Sequence, residues 1–228
     1  MNLLSVTSPT HYYCFSSLYR RYGWLQSLLA QVSPSKDIKD RIAALSVKFP
    51  KSQEWGIISP LALEDYLDDT SVESFLLLLE KDLTELEQII FNFLYSLEKE
   101  TKADFVFMQK SNLIGRLFGQ DTYISPLFHF PGEHSLVPAF SLVTTIMGGG
   151  IWPNQSFLLR RQSESALSYE LKECPHRKMP AVGSEIRNFA CALQSELYRG
   201  FFEALYPKAI YQRKSTTHYC VDFVSNHR

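Results

Sequence analysis

The chain has 228 residues, enough for one large domain or two small ones, and its 45% apolar and 21% charged residues are ordinary for a globular protein. Its 23 basic residues are balanced by 24 acidic ones, which excludes the strongly basic surface of a nucleic-acid-binding protein. Aromatic residues reach 14%, an excess that is typical of a filled core and of protein contact surfaces.

The first residues lack the charged and apolar regions of a secretory signal, so we expect a cytoplasmic protein. The longest apolar stretch, residues 136–151, is broken by Pro138 and three glycines and falls short of the roughly 20 apolar residues that span a membrane. We therefore expect no membrane insertion. Without export, the cysteines are expected to be thiols: Cys14, Cys174, Cys191 and Cys220.

Helical spacing dominates the first hundred residues. Apolar residues recur three and four apart at Leu18, Tyr22, Leu25, Leu29 and Val32, and again at Ile38, Ile42, Leu45 and Phe49. Ser33 and Pro34 separate these two predicted helices, with Pro34 at the first position of the second one, and Pro50 ends it. A third, short helix is predicted over residues 59–68, beginning at Ser59 and Pro60.

The strongest pattern begins at Thr70, which fits a capping box with Glu73. An apolar heptad seam follows over residues 72–97, roughly 40 Å long at about 1.5 Å per residue. Two interpretations stay open for this seam. It forms the centre of the chain's own helical layer, or part of it binds a helix of a protein partner through Leu76, Leu83, Ile90 and Phe93.

The pattern changes after Lys102. Residues 103–109 are rich in β-forming side chains and predict a strand, and residues 111–119 predict a short helix. Residues 120–155 combine proline, glycine and aromatic residues without an assignable element, and we expect them to contact a partner. Strands are predicted over residues 157–161 and 166–174.

A long helix capped by Ser184 is predicted next, followed by a hairpin of residues 209–214 and 218–224. The order strand, strand, helix, strand, strand favours an antiparallel sheet packed on one helix, which is an α+β unit. Gly200 lies inside this helix, where glycine is about 1 kcal/mol less favourable than alanine. It therefore indicates either the close approach of another backbone or room for a ligand.

One group of cysteine and histidine residues in the last third of the chain is a candidate site: Cys174, His176, Cys191, His218 and Cys220. Zinc needs about four such ligands in a tetrahedron, and pairs spaced by one residue on a strand do not readily close around a metal. A cysteine nucleophile with a histidine base is the enzyme alternative. We expect neither: no metal, no cofactor and no catalytic residue.

Residues 191–207 include Gly200, Phe201, Phe202 and Glu203 in a helix, and residues 218–224 place Cys220 in the hairpin. This layout resembles the 4-vinyl reductase domain, which is related to subunits of the TRAPP vesicle-tethering complex. The resemblance implies a pocket for a small molecule between helix and sheet, or assembly into a larger complex. Some members hold zinc with hairpin cysteines, but only Cys220 stands at such a position here.

The sequence thus predicts a helical region over residues 1–101 and a mixed α+β region over residues 102–228, or one continuous domain of both. We expect a non-enzymatic adaptor or assembly subunit of a larger complex, for example of a trafficking or transport machinery. The first alternative is a sensor for a small apolar ligand, with a pocket at Phe189, Leu193, Leu197, Gly200 and Phe201. The second is a cysteine-dependent enzyme.

Overall fold

A computed structural model of the chain describes residues 9–30, 32–49, 72–101, 104–124, 157–163, 166–171, 183–206, 209–215 and 220–226. Within these residues there are five helices: α1 (Pro9–Leu29), α2 (Lys36–Ser46), α3 (Val72–Thr101), α4 (Asp104–Ile124) and α5 (Ser184–Leu205). The strands are β1 (Phe157–Gln162), β2 (Ala166–Leu171), β3 (Ala209–Ser215) and β4 (Cys220–Asn226). The described part of the chain is therefore mostly helical and α+β in class, as the sequence predicts.

The four strands form one antiparallel sheet in the order β1-β2-β4-β3. Helix α5 connects β2 to β3, and β4 then returns between them. Because side chains alternate across a strand, Tyr211 and Arg213 of β3 face α5 together with Asp222 of β4. Ile210 and Phe223 lie on the opposite, partly exposed face of the sheet.

Helix α5 has two buried sides. Tyr198 and Phe202 face the sheet, and their rings contact the ring of Tyr211 with centroid distances of 6.2 Å and 5.6 Å. The other side packs against α4 so closely that a Cβ atom built on Gly200 would lie 1.9 Å from the carbonyl oxygen of Asn112. A Cβ atom on Gly115 would lie equally close to the Leu197 carbonyl oxygen. Reciprocal glycines thus allow backbone-to-backbone contact between α4 and α5.

Helix α1 joins the remaining helices to this pair. The Trp24 indole donates a 3.0 Å hydrogen bond to the Ser111 hydroxyl of α4, and that hydroxyl donates to the Leu193 carbonyl of α5 at 2.5 Å. On its α3 side, Arg21 forms two hydrogen bonds with the Glu87 carboxylate, at 3.0 Å and 2.7 Å. Buried residues of both predicted regions therefore belong to one hydrophobic core.

The long helix predicted over residues 72–97 is confirmed as α3, which has 30 residues. The strand predicted over residues 103–109 is wrong, because the described residues from Asp104 onward belong to α4, and the short helix of residues 111–119 is part of it. Phe107, Ile114 and Phe118 pack into the core at helical spacing, and this packing overrides the local β preference.

Two helix starts differ from the sequence prediction by one or two residues. Helix α2 is capped by Ser35, whose hydroxyl accepts a hydrogen bond from the Ile38 amide, so Pro34 precedes the helix. Gly183 caps α5, and Ser184 is its first residue. The predicted helix over residues 59–68 and the capping residue Thr70 lie outside the described residues.

Alanine substitution tests the contact between α4 and α5. Gly→Ala inside a helix ordinarily stabilises a protein by roughly 1 kcal/mol. Gly200→Ala and Gly115→Ala should instead lower the free energy of unfolding by about 1–3 kcal/mol, because the added methyl group overlaps the facing backbone. Gly183→Ala is the matched control, since a Cβ atom there meets nothing within 4 Å. Denaturant unfolding measures all three, and stabilisation by either core substitution would contradict the close contact.

Candidate functional site

The residues predicted to bind a partner on α3 lie mostly in the chain's own core. Leu76, Leu83 and Ile90 are fully buried, and Phe93 is half-buried. The seam therefore forms part of the chain's own helical layer, which is the first of the two interpretations that the sequence left open. Among the described side chains of α3, the large apolar ones that are exposed are Leu77 and Leu78, each with about half of its surface accessible.

Helix α4 exposes three apolar side chains on one face, which the sequence did not predict. Val106, Leu113 and Leu117 are 48%, 58% and 45% exposed. Their spacings of seven and four residues place them on one face of the helix, and we call these three residues the α4 ridge. The sequence predicts a strand over residues 103–109, and in a strand Val106 would share no face with Leu113 and Leu117. The three residues come onto one face only because residues 104–124 form a single helix.

Helix α4 is anchored in the core on the side opposite the ridge. The opposite side of α4 is buried through Phe107, Ile114 and Phe118, and Ser111 is hydrogen-bonded to both α1 and α5. Gly115 packs against the backbone of α5. A contact surface built on an anchored helix presents its side chains in a defined geometry, which reduces the entropy lost on binding.

Charged residues of both signs accompany the ridge. Lys110 lies between Val106 and Leu113 at helical spacing, and Arg116 lies to one side, where its guanidinium bonds the Glu203 carboxylate of α5 at 2.5 Å. Asp121 follows Leu117 at the helical spacing of four residues, so the sequence places an acidic residue on this face as well. Partial burial lowers the pKa of Lys110, so its ammonium group is less well solvated than that of a free lysine.

The residues of the predicted ligand pocket are brought together, but they are covered by neighbouring elements. Phe189, Leu193, Leu197 and Phe201 are buried, and the Phe189 ring contacts the ring of Tyr95 on α3. At Gly200 the structure has the close backbone approach of α4, which was one of the two possibilities predicted from the sequence. A ligand pocket among the other four residues stays a prediction.

A polar cluster lies between α5 and the sheet. The Arg213 guanidinium bonds both carboxylate oxygens of Asp222, at 2.6 Å and 2.7 Å, and both side chains are almost completely buried. Its third nitrogen donates to the Gln194 amide oxygen at 2.9 Å and lies 3.9 Å from the Cys191 sulfur. The guanidinium also stacks over the Tyr198 ring. The geometry is typical of a structural ion pair whose polar atoms are mostly satisfied.

Burial and neighbouring charges have opposite effects on the pKa values of Arg213 and Tyr211. Burial alone would lower the pKa of Arg213, but the neighbouring Asp222 carboxylate outweighs it and raises that pKa well above its usual value. Burial raises the pKa of the Tyr211 hydroxyl well above its usual value, despite the opposing charge of Arg213. Arg213 therefore stays charged and Tyr211 stays neutral at any physiological pH.

The cysteine and histidine cluster predicted from the sequence is described only in part. Cys191 is half-buried on α5 and forms no disulfide, and Cys220 begins β4. Cys174, His176 and His218 lie outside the described residues, so the expectations of no metal and no nucleophile stay predictions. Within the part of the chain that is described, no three Cys, His, Asp or Glu residues form a group that could hold a metal ion.

Removing one partner of the buried ion pair should be strongly destabilising. Asp222→Asn leaves the Arg213 charge buried without a carboxylate, and we expect a loss of about 3–5 kcal/mol in the free energy of unfolding. Asp37→Asn makes the same chemical change in the exposed pair with Arg41 and should cost less than about 1 kcal/mol. Urea unfolding compares the two variants, and equal losses would show that burial does not determine the cost.

Comparisons with protein-family models, with curated proteins and with solved structures found no match for this chain. None of the described helices combines the length and the apolar character that crossing a membrane requires.

Proposed function

We propose that this chain is a non-enzymatic assembly subunit that binds another protein through the α4 ridge. The observation that carries the proposal is the ridge itself: Val106, Leu113 and Leu117 are about half exposed in a row along one helix. Single exposed apolar residues are common on protein surfaces, whereas several on one face mark interaction sites more often.

The way α4 is held supports this role. A helix buried on its other sides cannot turn its ridge inward without losing the packing of Gly115 against α5 and the hydrogen bonds of Ser111. Covering the exposed ridge with apolar side chains of a partner would therefore gain free energy without rearranging the chain.

The resemblance of residues 191–224 to the 4-vinyl reductase domain stays a prediction. It is compatible with the proposed role, because relatives in that superfamily assemble into larger complexes. A cytoplasmic location and a place in a trafficking or transport machinery are likewise proposals.

Affinity purification of the tagged full chain from the cells that naturally express it tests the proposal. We expect a stoichiometric partner with the wild-type chain and at least about fivefold less of it with Leu113→Gln, since central apolar contacts contribute most to binding. Val47→Gln is the control, because Val47 is even more exposed but lies past the end of α2.

Thermal unfolding must be unchanged in both variants, which shows that the fold is intact. The proposal fails if no protein is recovered in stoichiometric amount, or if Leu113→Gln retains as much partner as Val47→Gln.

A further inference from the structure

We propose that Cys191 of α5 and Cys220 of β4 form an oxidant-sensitive thiol pair, in which a reversible disulfide bond joins α5 to the sheet. Cys191 is a free thiol in the structure, which is the reduced state of this pair. Disulfides in reducing compartments are mostly transient products of redox sensing. The positions of both residues between α5 and the sheet support such a pair.

Cys191 lies on the side of α5 that faces the sheet. Its sulfur atom is 3.9 Å from a guanidinium nitrogen of Arg213, whose side chain is buried between α5 and β4. The same guanidinium bonds Gln194 and lies over the ring of Tyr198, which follow Cys191 by three and seven residues. These three residues therefore form one stripe of α5 along the sheet. Cys191 itself is only partly buried, so a small oxidant can approach it from solvent.

The register of the sheet places Cys220 on the face that is turned towards α5. Asp222 of β4 bonds Arg213 on this face, and Val224, two residues further on, is buried. Successive residues of a strand alternate between its two faces, so Cys220, two residues before Asp222, lies on the same face. Because β2 and β3 pair with β4 on either side, Cys220 lies in the interior of the sheet and not at its edge.

The contacts of β3 show how α5 runs over the sheet. Tyr211 contacts residues 198 and 202 of the helix, whereas Arg213, two residues later in the strand, contacts residues 191, 194 and 198. Higher residue numbers in β3 therefore meet lower residue numbers in α5, and the two elements run antiparallel. The end of β3 lies beneath the first half of the helix.

Distances along the two elements place Cys191 and Cys220 at the same level. Ser215 follows Tyr211 by four residues, which is about 13 Å at about 3.3 Å per residue of strand. This distance equals about nine residues of helix at about 1.5 Å each, and it leads from the middle of the Tyr211 contact, near residue 200, to residue 191. Ser215 is the register partner of Cys220, so Cys220 lies at the level of Cys191.

Hydrogen peroxide is an oxidant of the required kind. Cys191 loses its thiol proton, which the neighbouring positive charge of Arg213 favours, and the thiolate attacks one peroxide oxygen. The sulfur–oxygen bond forms, the oxygen–oxygen bond breaks, and the departing hydroxide takes up the proton as water. The Cys220 thiol then attacks the sulfur of this sulfenic acid, so that the disulfide bond forms and a second water leaves. The two thiols lose two electrons and two protons, and one peroxide becomes two waters.

Mass spectrometry of the oxidised full chain tests this pairing. The folded, fully reduced chain is exposed to hydrogen peroxide, its remaining thiols are alkylated, and it is digested without reduction. A disulfide requires Cα atoms within roughly 7 Å of each other, so we expect the peptide pair joining Cys191 to Cys220 at least about tenfold above any other pairing. Dithiothreitol should abolish this product by thiol–disulfide exchange.

Two serine variants separate the pair from the other cysteines. Cys220→Ser should lose the cross-link and accumulate Cys191 sulfenic acid, which a dimedone probe labels. Cys174→Ser is the matched control, because Cys174 lies only three residues after the end of β2, and it should keep the cross-link. Oxidation should raise the melting temperature of the wild type and of Cys174→Ser by about 4 °C or more, since the bond restricts the unfolded chain, and should not raise that of Cys220→Ser.

Absence of the bond between Cys191 and Cys220, a dominant bond from Cys191 to Cys14 or Cys174, or a disulfide that forms only between two chains would each overturn the proposal. Equal yields from the folded chain and from a chain unfolded in urea would also overturn it, since the folded placement would then have no effect. The product of the wild-type chain decides the matter even where a serine variant does not fold.

Discussion

The contact between the backbones of α4 and α5 is the constraint on which the rest of the structure depends. A residue with any side chain at Gly115 or Gly200 would hold the two helices apart, because a carbonyl oxygen of the facing helix occupies the position of the missing Cβ. The sheet packs against the other side of α5, and α1 is hydrogen-bonded to α4 through Ser111. Separation of this helix pair would therefore leave the sheet joined to the helical layer only through the contacts of α5 with α3, such as that between the Phe189 and Tyr95 rings.

The same contact explains why polar groups are distributed as they are. Close packing on the α4 side leaves no room for long side chains, so the buried charge of the C-terminal part lies on the sheet side of α5, where Arg213 reaches Asp222 and Gln194. On the α1 side, Arg21 and Glu87 form a second buried pair. Both arginines are fixed by two hydrogen bonds to one carboxylate, which defines the relative placement of the elements they join more than it adds net stability.

Much of this fold could be predicted from the sequence where apolar spacing and turn residues agree. The seam of α3 and the closing hairpin have strong local patterns, and an unfavourable glycine at position 200 indicated either a close backbone contact or room for a ligand, of which the structure has the first. Residues 103–109 were misread because Phe105, Val106 and Phe107 favour a strand locally, whereas contacts with α1 and α5 decide the outcome. The α4 ridge could not be identified without that helix, since a face is defined only once the period of the element is known.

The hydrogen bond from Trp24 to Ser111 gives the molecule an internal optical reporter. Its indole is buried against the Phe91 ring, 5.7 Å away between centroids, and its N–H group reaches the hydroxyl that also bonds α5. Tryptophan emission shifts with the polarity around the ring and with the partner of its nitrogen. The side chains of α3 and α4 contact this ring of α1, and its hydrogen bond continues to α5, so its emission follows the docking of these helices once Trp55 and Trp152 are replaced.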